Sequence, residues 1–301
     1  MSARIMAEPV VFVTGANGQV GFELVRSLQG LGRICAPLRA ELDLSDFAKV
    51  RSFLRDLRPN LIVNPAAYTA VDRAETDAAA AHHLNAGLPA VLAEEARLLN
   101  ATVIHYSTDY VFDGSKAGPY IESDATAPLN VYGASKLAGE RALAESGVPH
   151  FVFRTSWVYS RRGANFLLTM LRLAQKQASL RIVADQIGAP TWARTIATLT
   201  AHAIAQGPRD AERFAQWAAE RSGIYHLTAS GAASWADFAE EIFARQHAAA
   251  APAVTRIPSS EYPVPARRPA NSRLAGDRFR QTFGLSAPDW REALRLCMQE
   301  I

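Results

Sequence analysis

Cysteine is nearly absent from this chain: Cys35 and Cys297 are the only two in 301 residues. They stand far apart, without metal-type spacing, which argues against a disulfide scaffold or a cysteine-held metal. They read as reduced thiols of a cytoplasmic protein. The seven histidines show no ligand spacing either. No apolar run approaches the roughly 18 residues that span a bilayer. Residues 1–8 lack the apolar core of a secretory signal and read as a short tail. Charge of one sign is also missing. The 32 Lys and Arg nearly balance 29 Asp and Glu, for a net charge of +3, and the cations are scattered rather than massed. Nucleic-acid binding is therefore not indicated. No internal repeat is visible, and the Ala-rich piece at residues 247–253, broken by Pro252, reads as a loop insertion or helix end.

What is present is a globular composition, 49% hydrophobic and 20% charged, with length for one or two domains and a large core. Short apolar, β-rich runs at residues 9–14, 33–36, 61–64, 102–107 and 151–154 predict strands. Helical periodicity lies between them, at 20–31, 45–57 with Ser45 as N-cap, 77–99 and 131–145. The alternation predicts an α/β fold: a doubly wound parallel sheet with helices on both faces. Ligands of such sheets sit beyond the carboxyl ends of the strands, so Gly15–Gly21, Leu38–Arg39, Pro65–Thr69, Ser107–Tyr110 and Thr155–Tyr159 are the segments to inspect. Past Tyr159 the alternation weakens and Pro and Arg become frequent. A dinucleotide-binding domain over residues 1–159 is expected, then a smaller substrate-binding region over 160–301. One strand of the latter, Ile224-Tyr225-His226-Leu227, is a candidate to return to the main sheet.

Gly15, Gly18 and Gly21 fall three apart at the first strand-to-helix turn. Glycine lets a backbone approach a pyrophosphate, and the following helix offers free N–H groups; the alternative is an ordinary βα turn. An acid at the end of the second strand would bind ribose hydroxyls. Here the strand ends in Leu38-Arg39-Ala40. Either Arg39 faces a 2′-phosphate, favouring NADPH, or it is solvated or taken by Glu41, leaving NADH open. Asp43-Leu44 lies where an adenine-contacting pair would sit, and Asp43 equally suits a helix start.

Tyr132 and Lys136 are four apart and share a helix face. The lysine ammonium is expected to draw the phenol down from its usual value of ~10, making Tyr132 a general acid for a carbonyl that receives a hydride. Thr108, in Ser107-Thr108-Asp109-Tyr110, is placed to hydrogen-bond both the carbonyl and the tyrosine oxygen; alone that stretch is a common turn. Asn85, a poor helix former inside a long helix, either bends it, holds a water that relays protons to Lys136, or is a plain polar position.

These residues carry a resemblance. The N-terminal half is similar to the extended short-chain dehydrogenase/reductases, with their Rossmann-type sheet. The whole chain resembles the dTDP-4-dehydrorhamnose reductase family. The resemblance lies in Thr14-Gly15-Ala16-Asn17-Gly18-Gln19-Val20-Gly21, in residues 64–75, in Ser107-Thr108-Asp109-Tyr110-Val111-Phe112-Asp113-Gly114, in Tyr132-Gly133-Ala134-Ser135-Lys136, in Arg154-Thr155-Ser156-Trp157-Val158-Tyr159, in residues 185–191 and in residues 268–274. It implies NADPH- or NADH-dependent reduction of the C4 ketone of dTDP-4-dehydro-L-rhamnose. By motif, Gly18, Gln19 and Val20 would touch the pyrophosphate, Asp43 and Leu44 flank the adenine, and Ala67, Tyr68 and Thr69 line the cofactor near Tyr106. Thr108 and Asp109 would contact the sugar and Trp157 pack on it, with Tyr132 as proton donor and Lys136 as its partner. Pro65 stands where Ala is commoner in the family, and Tyr68 where His is often found. Some members hold Mg²⁺ at a homodimer interface, for which the sequence shows no ligand set.

Two rival readings stand beside this one. A nucleotide-sugar dehydratase would place Glu after the Thr-Asp pair, where this chain has Tyr110, and an epimerase would keep its NAD through turnover. A non-catalytic NADP-binding regulatory subunit would share the same motifs. Arg268, beside Pro269, either forks onto the diphosphate of a nucleotide sugar or is solvated.

Overall fold

Strand β1 (Val10–Val13) leads into helix α1 (Gln19–Ser27), and β2 (Arg33–Cys35) into α2 (Phe47–Leu57). After β3 (Leu61–Asn64) come α3 (Val71–Ala74), α4 (Ala78–His82), a π turn (His83–Gly87) and α5 (Leu88–Leu99). Then β4 (Thr102–Thr108) and a 3-10 turn (Asp109–Val111) precede α6 (Val131–Ser146) and β5 (His150–Thr155). The remaining elements are β6 (Val158–Tyr159), α7 (Phe166–Ala174), β7 (Ser179–Val183), β8 (Ile187–Gly188), β9 (Thr191–Trp192), α8 (Ala193–Ala205) and α9 (Ala211–Glu220). They end with β10 (Gly223–His226), β11 (Ala233–Ser234), α10 (Trp235–Arg245), β12 (Ala253–Ile257), α11 (Asp277–Phe283) and α12 (Trp290–Met298). These come from a computed structural model, which describes residues 8–246 and 251–301. Residues 1–7 of the expected tail and 247–250 of the Ala-rich piece lie outside the described residues.

Six parallel strands form the central sheet in the order β10-β5-β4-β3-β1-β2. Every residue of β3, β4 and β5 is buried, which is why these runs are not alternating in polarity. The chain leaves β1 towards β2 and then crosses back to β3, so the order reverses between β1 and β3. Such a reversal opens a crevice between the loops that follow the two strands. The strand expected at residues 224–227 does return: β10 pairs with β5, and Leu227 N donates to Arg154 O at 2.8 Å.

One face of the sheet packs on a core of Val11, Leu24, Ile104, Tyr106, Ile196 and Phe279, which draws on α1, α8 and α11. The other packs on Phe12, Leu54, Ile62, Leu92 and Leu143, from α2, α5 and α6. The second half therefore supplies α8, β10 and α11 to the main sheet. Another cluster, around Tyr159, Leu167, Phe238 and Trp290, joins α7, α10 and α12.

Two local expectations change. Helix α2 is capped by Asp46, not Ser45: the Asp46 carboxylate accepts from Lys49 N at 3.1 Å, while Ser45 is tied by its N–H and hydroxyl to Asp43 Oδ1. That Asx turn uses residues 43–45 before the helix begins. The helix expected at 77–99 is interrupted by the π turn, which contains Asn85. Asn85 is buried, and its amide bonds Tyr68 N, Tyr68 O and Ser135 Oγ at 2.8, 3.1 and 3.0 Å. The widened turn lets one side chain tie the loop after β3 to α6.

Glu140 of α6 and Arg154 of β5, each 2% exposed, form two hydrogen bonds of 2.9 and 2.6 Å. Removing one member of a buried pair strands the other charge, which typically costs about 3–5 kcal/mol. Glu140→Gln should lower denaturant stability by about that amount. The double variant Glu140→Leu with Arg154→Met should recover most of it. Equal losses in the single and double variants would contradict the assignment.

Candidate active site

The glycine turn is built for close backbone approach. Gly15 has φ +55°, and a Cβ on Gly21 would stand 2.1 Å from Gly15 O. Gly18 N donates to Gly15 O at 2.9 Å, and α1 starts with no side-chain cap among the described residues. The first-turn N–H groups of Gln19, Val20 and Gly21 thus have no acceptor within the helix. This donor set fits a pyrophosphate. The Gln19 side chain is turned elsewhere: its carbonyl accepts from Ser160 Oγ and Asn165 Nδ2 at 3.0 and 2.9 Å. Val20 packs against the core.

At the end of β2 the Arg39 side chain is 83% exposed, 3.7 Å from the Asp43 carboxylate. Glu41 does not take it; its carboxylate accepts from Leu38 N at 2.7 Å. Hydrogen bonds from Ser45 hold Asp43 below the usual carboxylate range. Leu44 is partly buried against the core. After β3, Ala67 is partly buried and Thr69 exposed. Tyr68 is pinned through its backbone by Asn85, and its phenol donates to Asp77 at 3.1 Å.

Helix α6 carries the central group. Asn130 caps it, accepting from Gly133 N at 2.8 Å. A Cβ on Gly133 would meet Tyr110 O at 2.2 Å, so only glycine lets the helix lie against the turn after β4. There Tyr110 and Tyr132 meet edge to face, centroids 5.8 Å apart. The Thr108 hydroxyl donates to Asp109 Oδ1 at 2.9 Å and accepts from Tyr110 N at 3.2 Å. Asp109 is 3% exposed, and its Oδ2 has no partner among the described residues.

The electrostatics correct one expectation. Tyr132 is pushed up to about 12, first by burial and then by the Asp109 charge, with the neighbouring Thr108 hydroxyl pulling the other way. Lys136 does not lower it. The lysine is 1% exposed, burial pushes it down to about 7 against the pull of Glu140, and its Nζ lies 3.2 Å from His105 Nε2. Tyr132 is thus held as a neutral phenol, the form that can give a proton. Burial lifts Asp109 to about 6, against the pull of the neighbouring Ser272 and Thr108 hydroxyls.

Other expected residues are placed variously. The Tyr106 side chain is outside this group. Strand side chains alternate, and Tyr106 points to the face opposite Lys136, where its hydroxyl donates to Thr200 at 2.9 Å. Trp157 follows β5 with φ +49°, a conformation that strains a bulky residue and is found at functional positions. It stacks on Trp235 at 3.5 Å and 4°, and a Cβ on Gly188 would come within 2.4 Å of it. Arg268 is partly buried: it pairs with Asp72 at 2.8 Å and lies over the Tyr110 ring, 5.8 Å from its centroid.

Sequence reasoning missed Ser272 beside Asp109, Trp235 behind Trp157, and Arg162, whose guanidinium stacks on Phe22 at the first turn of α1. It also missed His105 and its neighbour Asn64. These are paired across β3 and β4, and polar residues in otherwise apolar, doubly buried strands were the available signal.

The family model described as RmlD substrate binding domain matches residues 9–301. A dTDP-4-dehydrorhamnose reductase of Burkholderia thailandensis is 52% identical over 297 residues, covering 97% of this chain and 98% of the relative. The chain belongs to the dTDP-4-dehydrorhamnose reductase family. The Escherichia coli K12 member is 44% identical, covering 97% of each chain. The structure of the Bacillus anthracis member in complex with NADP superposes with a TM-score of 0.88 at 33% identity, covering 98% of this chain and 100% of that one. Tyr132, Lys136 and the glycine turn thus lie in a chain matched to the family over almost its whole length. Among the described residues, no group of three or more His, Cys, Asp or Glu is arranged to hold a metal, and no helix is long and apolar enough to cross a membrane.

Ionised, Asp109 is an acceptor at both oxygens; protonated, it carries a competing O–H donor and a weaker acceptor. The kcat/KM of wild-type protein should therefore fall on the acid side of a midpoint about 6. Asp109→Asn should lose that limb while keeping the alkaline one. An unchanged acid limb in the variant would assign it to another group.

Proposed function

We propose that the chain reduces the C4 ketone of dTDP-4-dehydro-L-rhamnose to dTDP-L-rhamnose with NADPH. The observation that carries this reading is the neutral Tyr132 phenol beside Thr108 and Asp109, at the same end of the sheet as the open start of α1. The bound nicotinamide cofactor supplies the hydride to C4. The amides of Gln19, Val20 and Gly21 hold its pyrophosphate, and the loop at Ala67–Thr69 lines its path. Thr108 hydrogen-bonds the ketone oxygen and keeps it near Tyr132. Asp109 accepts from a sugar hydroxyl through its free oxygen. Tyr132 gives its proton to the C4 oxygen, so the new alcohol takes one hydride and one proton, and a phenolate remains. Lys136 stands one turn along α6, its Nζ 3.2 Å from His105 Nε2. Trp157 presents a rigid aromatic face to the sugar, and Arg268 bears on the nucleotide end together with the region after Tyr159. At the position where dehydration would call for a carboxylate stands Tyr110, its ring already engaged by Tyr132 and Arg268. A cytoplasmic location belongs to the same reading, and Mg²⁺ and a homodimer to the family resemblance alone.

The assay that tests this is NADPH consumption with dTDP-4-dehydro-L-rhamnose, the product identified by NMR. Tyr132→Phe should lower kcat by roughly 10²-fold or more, as for loss of a general acid, with NADPH affinity retained. Near-normal turnover would remove Tyr132 from the chemistry.

Arg39 is exposed and, among the described residues, pairs only with Asp43 at 3.7 Å, which leaves it able to meet a 2′-phosphate. A charge-assisted hydrogen bond of that kind contributes ~1.5–3 kcal/mol, or roughly ten- to a hundred-fold in affinity. Arg39→Ala should abolish most of the preference for NADPH and leave NADH kinetics unaltered. Equal use of both cofactors by wild-type protein would contradict this.

A further inference from the structure

A run of buried side chains crosses the sheet from the glycine turn to the catalytic lysine. Ala66 N donates to Thr14 Oγ1 at 3.2 Å, and Thr14 Oγ1 donates to Asn64 Oδ1 at 2.7 Å. Asn64 Nδ2 donates to His105 Nδ1 at 3.1 Å, and His105 Nε2 lies 3.2 Å from Lys136 Nζ. All four side chains are at most 1% exposed. The residue just after β1 supplies the first, β3 the second, β4 the third and α6 the last.

We propose that His105 is a positioning residue for Lys136, and that the Asn64 amide and the His105 imidazole form a two-position register that partners the lysine in both of its charge states. The proposal rests on the reductase reading for its consequence in turnover, not for its geometry. The hydrogens decide it. With Asn64 Nδ2 towards the ring, His105 Nδ1 must accept, so the neutral ring carries its proton on Nε2. That N–H needs a lone pair on Lys136, so this arrangement suits the neutral amine. The ammonium instead needs Nε2 as acceptor. The ring proton then sits on Nδ1, and Asn64 must turn its amide to offer oxygen. Thr14 serves either orientation, because a hydroxyl both gives and takes a hydrogen bond. The imidazole stays neutral throughout, as burial and the neighbouring lysine both demand.

The charges facing Lys136 are few. His105 approaches from β4; Tyr132 and Glu140 lie one turn before and after it on α6; Arg154 of β5 is neutralised by Glu140. Among the described residues, His105 is the group within hydrogen-bonding distance of Nζ. Because Thr14 immediately precedes Gly15, the same run ties the lysine to the turn that grips the cofactor.

Two substitutions separate the halves of the ring. His105→Gln keeps an amide near the Nε2 position, facing Lys136. His105→Asn keeps one near Nδ1, facing Asn64, and leaves the lysine alone. The Asn variant should lose about tenfold in kcat, with little change in KM for the sugar nucleotide. Its pH midpoint should move by about one unit, towards the neutral amine. The Gln variant should stay within about threefold of wild type, with the wild-type midpoint. A second arm needs no sugar: ¹⁵N NMR of the wild-type NADPH complex through neutral pH. His105 should exchange its tautomer at the pH where Lys136 loses its charge. A common profile for the two variants, or one tautomer held throughout, would overturn the proposal. Wild-type protein that reduces no sugar nucleotide would overturn the reductase reading instead and leave the NMR result to decide this one.

Discussion

Burying the Lys136 amine is the constraint on which the rest of the site depends. An amine with 1% of its surface exposed must be paid for by partners. Glu140 one turn on supplies negative charge, Arg154 holds that carboxylate, and His105 closes over the nitrogen. The helix can come so near only because it carries glycine where it meets the neighbouring backbone: a Cβ on Gly133 would strike Tyr110 O, and one on Gly139 would strike Asn85 O, each at 2.2 Å. The same approach sets Tyr132 against the turn after β4. Helix packing and catalytic geometry are therefore one requirement.

Two groups in this site have their proton affinities moved in the same direction for different ends. Burial raises both Tyr132 and Asp109. The phenol, starting high, ends near 12 and keeps its proton. The carboxylate, starting low, ends near 6 and is still largely ionised at neutral pH. One becomes a donor and the other an acceptor within a few ångströms of a single hydroxyl, that of Thr108. The Asp109 charge also helps to keep Tyr132 protonated.

Much of this was legible in the residues. Five of the six sheet strands stood out as apolar runs, most clearly β3, β4 and β5, because a strand covered on both faces must be apolar. Even the return of residues 224–227 was readable from composition. Gly15, Gly18, Gly21, Tyr132 and Lys136 were visible because their spacing is dictated by local geometry. What was not legible depends on side-chain direction across the sheet. Tyr106 and His105 are neighbours in sequence and point to opposite layers, and only the second meets Lys136. The lysine was expected to act on Tyr132, yet its hydrogen-bond partner among the described residues is a histidine 31 residues away. Asn85 looked like a helix defect; the π turn and its three hydrogen bonds come from partners at residues 68 and 135. Ser45 lost the cap to Asp46 because a tight turn consumed it first.

The central claim is that a hydride reaches C4 of the sugar while this chain supplies the matching proton. The most direct measurement is NMR of the product formed from dTDP-4-dehydro-L-rhamnose and NADPH deuterated at the transferred position. The account predicts one deuterium per product, at C4 of dTDP-L-rhamnose, with one NADPH consumed for each. Product without deuterium at C4, or conversion of the sugar with no net loss of NADPH, would contradict it.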